Sequence, residues 1–285
     1  MSQAQLIAHG LAHAYARQAV LEDIDLQVDA GQVLALVGPS GCGKTTLLHL
    51  CAGLLTRQSG QLQNSFRRPA VMFQQPRLLP WKNTADNIAL GLKAAGVARA
   101  ERLRQVREIG AAVGLDALAL GQFPHALSGG MQSRAALARA LILEPDLLLM
   151  DEPFSALDIG LKGQLHRLLL EHQAQQKLAV LMITHDLMEA VRLADRVLVM
   201  AAGPGRIVHR FDLPIPARQR DEAGVYRTTA ELLQVPAVRA SFGLEALPAR
   251  SLAGLDPQPW LGPAPTGPGA ASLPPPARAK KGLAC

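Results

Sequence analysis

At 285 residues, with 49% hydrophobic and 18% charged positions, the chain can hold one large or two modest globular domains with a real core. No uninterrupted apolar run approaches the roughly 18 residues of a membrane-crossing helix, and the first ten residues lack the basic start and apolar centre of a secretory signal; the expected place is the cytosol. The net charge of +6 is scattered, and its clusters at Arg99 to Arg107 and Arg278 to Lys281 carry no base-reading motif, so they read as solvated faces and argue against a nucleic-acid partner.

The first segment alternates apolar and polar residues over Gln5 to His9 and again over Ile24 to Val28, which predicts short antiparallel strands. Between them stands Tyr15, an aromatic one strand ahead of the next motif. Its ring could stack on a nucleobase, although a tyrosine at a strand end serves packing at least as readily.

An apolar run from Val33 to Val37 reads as a buried strand and leads into GPSGCGKTT, Gly38 to Thr46, with a helical run to Leu55 behind it. The G-x-x-x-x-G-K-T spacing between a strand and a helix is that of a phosphate-binding loop. Gly38, Gly41 and Gly43 let the backbone turn its N–H groups into one concave nest, and the helix start adds partial positive charge. Pro39, Ser40, Cys42 and Thr46 complete the stretch, Lys44 would reach the outer phosphates, and Thr45 would offer a hydroxyl to Mg2+. The expected ligand is a nucleoside triphosphate.

The three cysteines, Cys42, Cys51 and Cys285, make neither a metal pattern nor a disulfide framework. They read as small apolar fillers, with Cys42 open to reactivity because it lies near a helix start.

A turn at Gly60 and a strand over AVMF, Ala70 to Phe73, precede Gln74, Gln75 and the proline-marked loop PRLLPW, Pro76 to Trp81. From Thr84 to Leu120 the pattern becomes helical. Leu103, Val106, Ile109 and Val113 form one apolar stripe opposite a basic face, as in a small helical subdomain hung on a sheet. LSGGMQ comes next. Ser128, Gly129 and Gly130 fit a helix cap and a binding loop equally well, with a long alanine-rich helix from Met131.

DLLLMDEP is a second buried strand that delivers Asp151 and Glu152 to its C-terminal edge, where α/β sheets bind ligands. Asp151 there can hold Mg2+ and Glu152 can polarise an attacking water; the bland alternative is a solvated acid pair. FSALD, Phe154 to Asp158, opens an amphipathic helix to about Gln175. AVLMITHD is a third buried strand ending in His185, a residue that is ordinarily structural when alone but here stands beside the phosphate edge.

The last strand-like run is RVLVMAAGPGRIVHR. One or two short helices are expected over Glu222 to Gln234, and from Ala246 the Pro-, Gly- and Ala-rich composition predicts a disordered tail.

In order and spacing, the phosphate loop, Gln74, LSGGMQ, LLLMDEP, SALD and His185 resemble an ABC-type ATP-binding subunit over roughly Leu6 to Asp212. The resemblance implies an α/β P-loop NTPase with a mainly parallel core sheet, an antiparallel β subdomain and an inserted α-helical subdomain at about 76–135. A short helical extension at 213–245 and the tail at 246–285 would follow the ATP-binding domain at 1–212.

The same likeness implies a head-to-tail homodimer holding ATP between one copy's phosphate loop and the other's Ser128, Gly129 and Gly130. In it Tyr15 stacks the adenine, Gln74 senses Mg2+ and water, Glu152 is the general base, His185 holds the γ-phosphate and water, and Asp158 couples the two sites. One departure is Ser133, where Gln or Arg commonly follows LSGGMQ; it touches only the fine geometry of the interface.

The loop QQPRLLPW and the late PGRI, Pro204 to Ile207, look like the subgroup that energises import of nitrate, sulfonates or taurine, on surfaces facing a membrane partner. That implies a peripheral subunit at the cytoplasmic face of the inner membrane, transmembrane permease subunits, and a periplasmic or extracellular solute-binding protein. The competing class is a soluble ABC ATPase acting on DNA or ribosomes, which usually carries two cassettes or a large coiled-coil insertion. A simple P-loop kinase leaves LSGGMQ unexplained.

Overall fold

The computed structural model describes residues 3–245; the proposed tail at 246–285, with Cys285, lies outside the described residues. Two strands open the chain, β1 (Gln5–Tyr15) and β2 (Gln18–Asp29), followed by β3 (Val33–Val37) and α1 (Lys44–Cys51). Next come β4 (Ser59–Asn64), β5 (Pro69–Met72) and the short helices α2 (Thr84–Ile88) and α3 (Leu90–Ala94). The middle of the chain holds α4 (Arg99–Ala112), α5 (Ala117–Gly121), α6 (Gly129–Leu141), β6 (Leu147–Asp151) and α7 (Ile159–Gln176). It closes with β7 (Ala179–Thr184), α8 (Leu187–Leu193), β8 (Arg196–Ala201), β9 (Arg206–Asp212), α9 (Glu222–Leu232) and α10 (Pro236–Ser241).

Six strands form the main sheet in the order β5-β6-β7-β3-β8-β9. All neighbours are parallel except the β8–β9 pair. A second, antiparallel sheet has the order β2-β1-β4.

Strict alternation along the central strands explains why they read as unbroken apolar runs. Val33, Ala35 and Val37 of β3 enter one core with Leu148, Met150, Val180 and Met182. Leu34 and Leu36 point the other way, into a second core with Leu147, Leu149, Leu181 and Ile183. The first core is covered by α2–α10, the second by α1 and the antiparallel sheet. With each fully buried aliphatic side chain stabilising the fold by about 1.5–3 kcal/mol, β3, β6 and β7 are the rigid floor on which the chemistry rests.

Several expectations change. The opening strands are long rather than short, because residues 5–15 and 18–29 pair along nearly their full length. Gly60 is no turn residue: it lies in β4, where a Cβ would come within 2.3 Å of the Gly10 carbonyl oxygen, so the glycine permits close passage of two strands. The single run over 196–210 is a hairpin, β8 and β9, broken at Ala202–Gly205, with a cis bond between Gly203 and Pro204.

The stripe on α4 is real for Val106 and Val113, which are buried, whereas Leu103 is exposed at 42%. Ser133 is buried on α6, where its small side chain packs within the chain. Helices α9 and α10 send Val225, Leu232 and Val238 into the first core.

Candidate functional site

The parallel pairing itself gathers the candidate residues. Met72 is level with Met150, Asp151 with Ile183, and Val37 with Thr184, so four adjacent strands end at one edge of the sheet. The segments just beyond the strand ends therefore meet there: Gln74 after β5, Glu152 after β6, His185 after β7 and the phosphate loop after β3. This is the edge at which open α/β sheets bind ligands.

Between β3 and α1, Gly41 and Gly43 take left-handed φ values of +80° and +94°, the conformation that turns successive backbone N–H groups inward. The Lys44 ammonium is buried and donates 2.8 Å bonds to the carbonyls of Gly38 and Pro39, which holds the cation inside the loop it serves. One residue on, the Thr45 hydroxyl donates to Asp151 Oδ2 at 2.7 Å. Burial pushes the Asp151 carboxyl above the ordinary carboxylate range; the Thr45 hydrogen bond opposes that shift and the neighbouring Glu152 charge adds to it.

Glu152 has a positive φ of 46°, rare for a residue with a side chain. Its N–H donates to the Ile183 carbonyl at 2.9 Å, which ties the strained position to β7. The carboxylate is engaged at both oxygens: His185 Nδ1 lies 3.1 Å from Oε1, and Gln74 Nε2 donates to Oε2 at 3.2 Å.

A cavity of about 370 Å³ opens between the phosphate loop, Gln74 and the Asp151–Glu152 pair, with Val20 of β2 as a further wall. Larger cavities of about 440 and 510 Å³ lie elsewhere; it is the convergence of lysine, hydroxyl and carboxylates that singles this one out. A divalent cation fits the donor set. Thr45 and Asp151 present hard oxygen donors 2.7 Å apart, and the Gln74 carbonyl oxygen is free while its nitrogen donates to Glu152. A donor set this small suits Mg2+, which takes few protein ligands and shares the rest with phosphate and water.

Not every candidate meets at this cavity. Tyr15 ends β1 at 49% exposure, edge-on to His13 at 4.9 Å, and does not line it. Ser128 caps α6, accepting from the Met131 N–H at 3.3 Å, and Asp158 caps α7 by accepting from the Leu161 N–H. Gly129 has open space at its Cβ position, while at Gly130 a Cβ would meet Ala156 O at 3.4 Å and Leu157 Cδ2 at 3.3 Å. The Ser128–Gly130 turn thus packs on the loop that leads to Asp158, within one chain.

One expectation fails here, and another segment does more than expected. Cys42 is buried, and that burial raises its thiol pKa against the pull of Lys44, so it is an inert filler despite its place near the helix start; Cys51 is pushed up to about 12 by burial. The PGRI segment is not a surface for a partner alone. Gly205 is clasped to the phosphate loop: its N–H donates to Val20 O at 2.9 Å, and a Cβ on it would fall 2.1 Å from the Cys42 carbonyl oxygen. Val20 escapes sequence reasoning as a site residue because no local motif marks it, and PGRI does not reveal that its Gly205 packs on the phosphate loop.

A family description, ABC transporter, matches residues 21–155. The chain is 42% identical over 224 residues to the taurine import ATP-binding protein TauB of Escherichia coli, spanning 75% of this chain and 87% of that one. It is 44% identical over 229 residues to the aliphatic sulfonates import ATP-binding protein SsuB 1 of Pseudomonas syringae pv. tomato, spanning 80% and 81%. In fold it is similar to the dimeric ATP-binding cassette MJ0796 in a post-hydrolysis state bound to ADP and Pi, with TM-score 0.68, 24% identity, and coverage of 74% of this chain and 99% of that one. A solved ATP binding subunit of an ABC transporter gives TM-score 0.66 at 26% identity, over 79% and 99%.

Proposed function

The chain belongs to the ABC transporter family, and from that premise we propose that it is the ATP-hydrolysing subunit of an importer for taurine or an aliphatic sulfonate. The observation that carries the catalytic part is the position of Glu152, tied to both His185 and Gln74 and next to an Asp151–Thr45 pair at one cavity. In this reading the phosphate-loop amides and Lys44 hold the phosphates of ATP, and Thr45, Asp151 and Gln74 hold Mg2+. Glu152 accepts the proton of the attacking water, and His185 orients the water and the γ-phosphate. Mg2+ would neutralise phosphate charge when bound.

Ser128, Gly129 and Gly130 serve the partner copy's ATP, so two chains close on two nucleotides, with Tyr15 against the base and Asp158 near the two-fold. Closure upon ATP turns binding into motion, and hydrolysis releases it. The names of the relatives support the solute class. No helix among the described residues is long and apolar enough to cross a membrane. In this reading permease subunits carry the solute, with this chain docked at their cytoplasmic face and an external binding protein delivering to them.

The test is recovery of partners from native membranes with Glu152→Gln, which should keep ATP bound and the dimer closed. Co-purification of a multi-span permease supports the importer, and its companion binding protein then identifies the solute. Recovery of ribosomes or DNA-repair proteins without a membrane protein would overturn it.

A further inference from the structure

Gln74 stands at the start of a loop whose two halves are held differently. In the far half, the buried Asn87 of α2 accepts from the Leu79 N–H at 2.7 Å and donates to the carbonyls of Leu79, Lys82 and Asn83. In the near half, from Gln75 to Leu78, the only hydrogen bonds to other parts of the chain among the described residues are two from Arg139 of α6. Its guanidinium donates from Nη2 to the Pro76 carbonyl at 2.7 Å and from Nη1 to the Arg77 carbonyl at 2.9 Å.

Arg139 is half-buried, and burial pushes its pKa down with no carboxylate to oppose the shift. The cation gives up hydration for a fork across two consecutive carbonyls, a geometry that the point charge of a lysine cannot copy. The gripped segment is folded back on itself. Arg77 has a left-handed φ of 45°, and its guanidinium lies over the Phe73 ring, 4.9 Å from the centroid. Phe73 and Arg77 thus bracket Gln74, so a shift of the two carbonyls is passed to the Gln74 amide, which meets Glu152 Oε2 at 3.2 Å. Arg139 does not itself line the cavity at the phosphate loop. About three turns back along its helix stand Ser128 and Gly130.

We propose that Arg139 is a positioning residue for ATP hydrolysis: its fork on the Pro76 and Arg77 carbonyls sets where Gln74 meets Glu152. The inference rests on the reading of Glu152 as the base that acts on water. With the fork gone, the near half of the loop keeps no hydrogen bond to α6, and Gln74 loses its fixed place beside the carboxylate. The same fork joins the Gln74 loop to the helix that opens with the Ser128–Gly130 turn.

The experiment is a double-mutant cycle on the full-length protein, read by steady-state turnover of ATP with Mg2+ and by denaturant unfolding. Arg139→Gln is expected to lower kcat at least tenfold and to leave KM within about threefold. Added to Gln74→Ala, it should deepen the loss by no more than about twofold, because both changes remove one contact to Glu152. Arg139→Lys keeps the charge and the stem but reaches one carbonyl; it should show a smaller loss with the same non-additivity, and it carries the cycle where Arg139→Gln does not fold. Losses that multiply, a raised KM with kcat unchanged, or full turnover in both Arg139 variants would overturn the proposal and leave the ATPase reading standing. Loss of the fold in both variants would overturn it too, assigning Arg139 to stability alone. Normal turnover in Glu152→Gln would overturn that reading, and the proposal with it.

Discussion

His185 Nδ1 lies 3.1 Å from Glu152 Oε1, and the two residues leave neighbouring parallel strands whose ends are level. With Gln74 on the other oxygen, the carboxylate is held from both sides. A general base contributes about 10²–10⁴-fold to a proton-transfer step. Glu152→Gln should therefore lower phosphate release by that factor while ATP affinity stays within about threefold, as read by single-turnover kinetics and equilibrium binding. Loss of binding equal to loss of turnover would show that Glu152 holds the nucleotide and does not act on water.

The 2.7 Å bond from Thr45 to Asp151 makes a different prediction. Asp151→Asn should weaken ATP binding about tenfold in the presence of Mg2+ and little in its absence, in line with loss of one charged metal contact worth about 1.4 kcal/mol. Because burial raises the Asp151 pKa, the folded protein holds this proton more tightly than the unfolded chain does. The group therefore opposes stability at neutral pH, and that opposition is relieved as pH falls through the raised value. Proton and cation compete, so the Mg2+-dependent gain in ATP affinity should fade on acidification before ordinary carboxylates titrate. A gain that persists down into the ordinary carboxylate range would contradict this.

Gly205 offers a test of the clasp on the phosphate loop. A methyl group there would stand 2.1 Å from Cys42 O and 2.9 Å from Val20 O, both backbone atoms that cannot swing aside. Gly205→Ala should cost about 1–3 kcal/mol of stability by overpacking and weaken ATP binding, measured by denaturant unfolding and nucleotide titration. Wild-type values in both would mean that the hairpin and the loop are not rigidly joined.

Trp81 is 71% exposed on the loop after Gln74. Trp81→Ala should change stability by no more than about 0.5 kcal/mol and leave ATP affinity nearly intact, yet uncouple solute uptake from hydrolysis in reconstituted vesicles. Equal loss of ATP binding would remove the docking role.

Much of the site is legible in the sequence because its chemistry is local. Residues 38–46 need only a strand before and a helix after them, and Asp151, Glu152 and His185 each stand at the end of an apolar run. The illegible features depend on distant contacts. Gly60 has the composition of a turn, but its partner is Gly10, fifty positions away. Val20 looks like any strand residue until β2 is seen beside the phosphate loop. The 196–210 run conceals a hairpin because β8 is apolar after Arg196 while β9 alternates, and the break at Ala202–Gly205 resembles an ordinary loop. Cys42 misleads for the same reason: the helix start beside it is local, but the burial that governs its thiol is not.

Sedimentation equilibrium of Glu152→Gln, with and without Mg2+ and ATP, tests the shared-nucleotide clamp itself. A monomer is expected without nucleotide and a dimer with two bound ATP molecules. The dimer should revert to monomer when Ser128→Arg is added, because in the proposed clamp the helix that Ser128 caps faces the partner's nucleotide. A chain that binds one ATP and stays monomeric, or a dimer indifferent to Ser128→Arg, would contradict the claim that ATP is held between two copies.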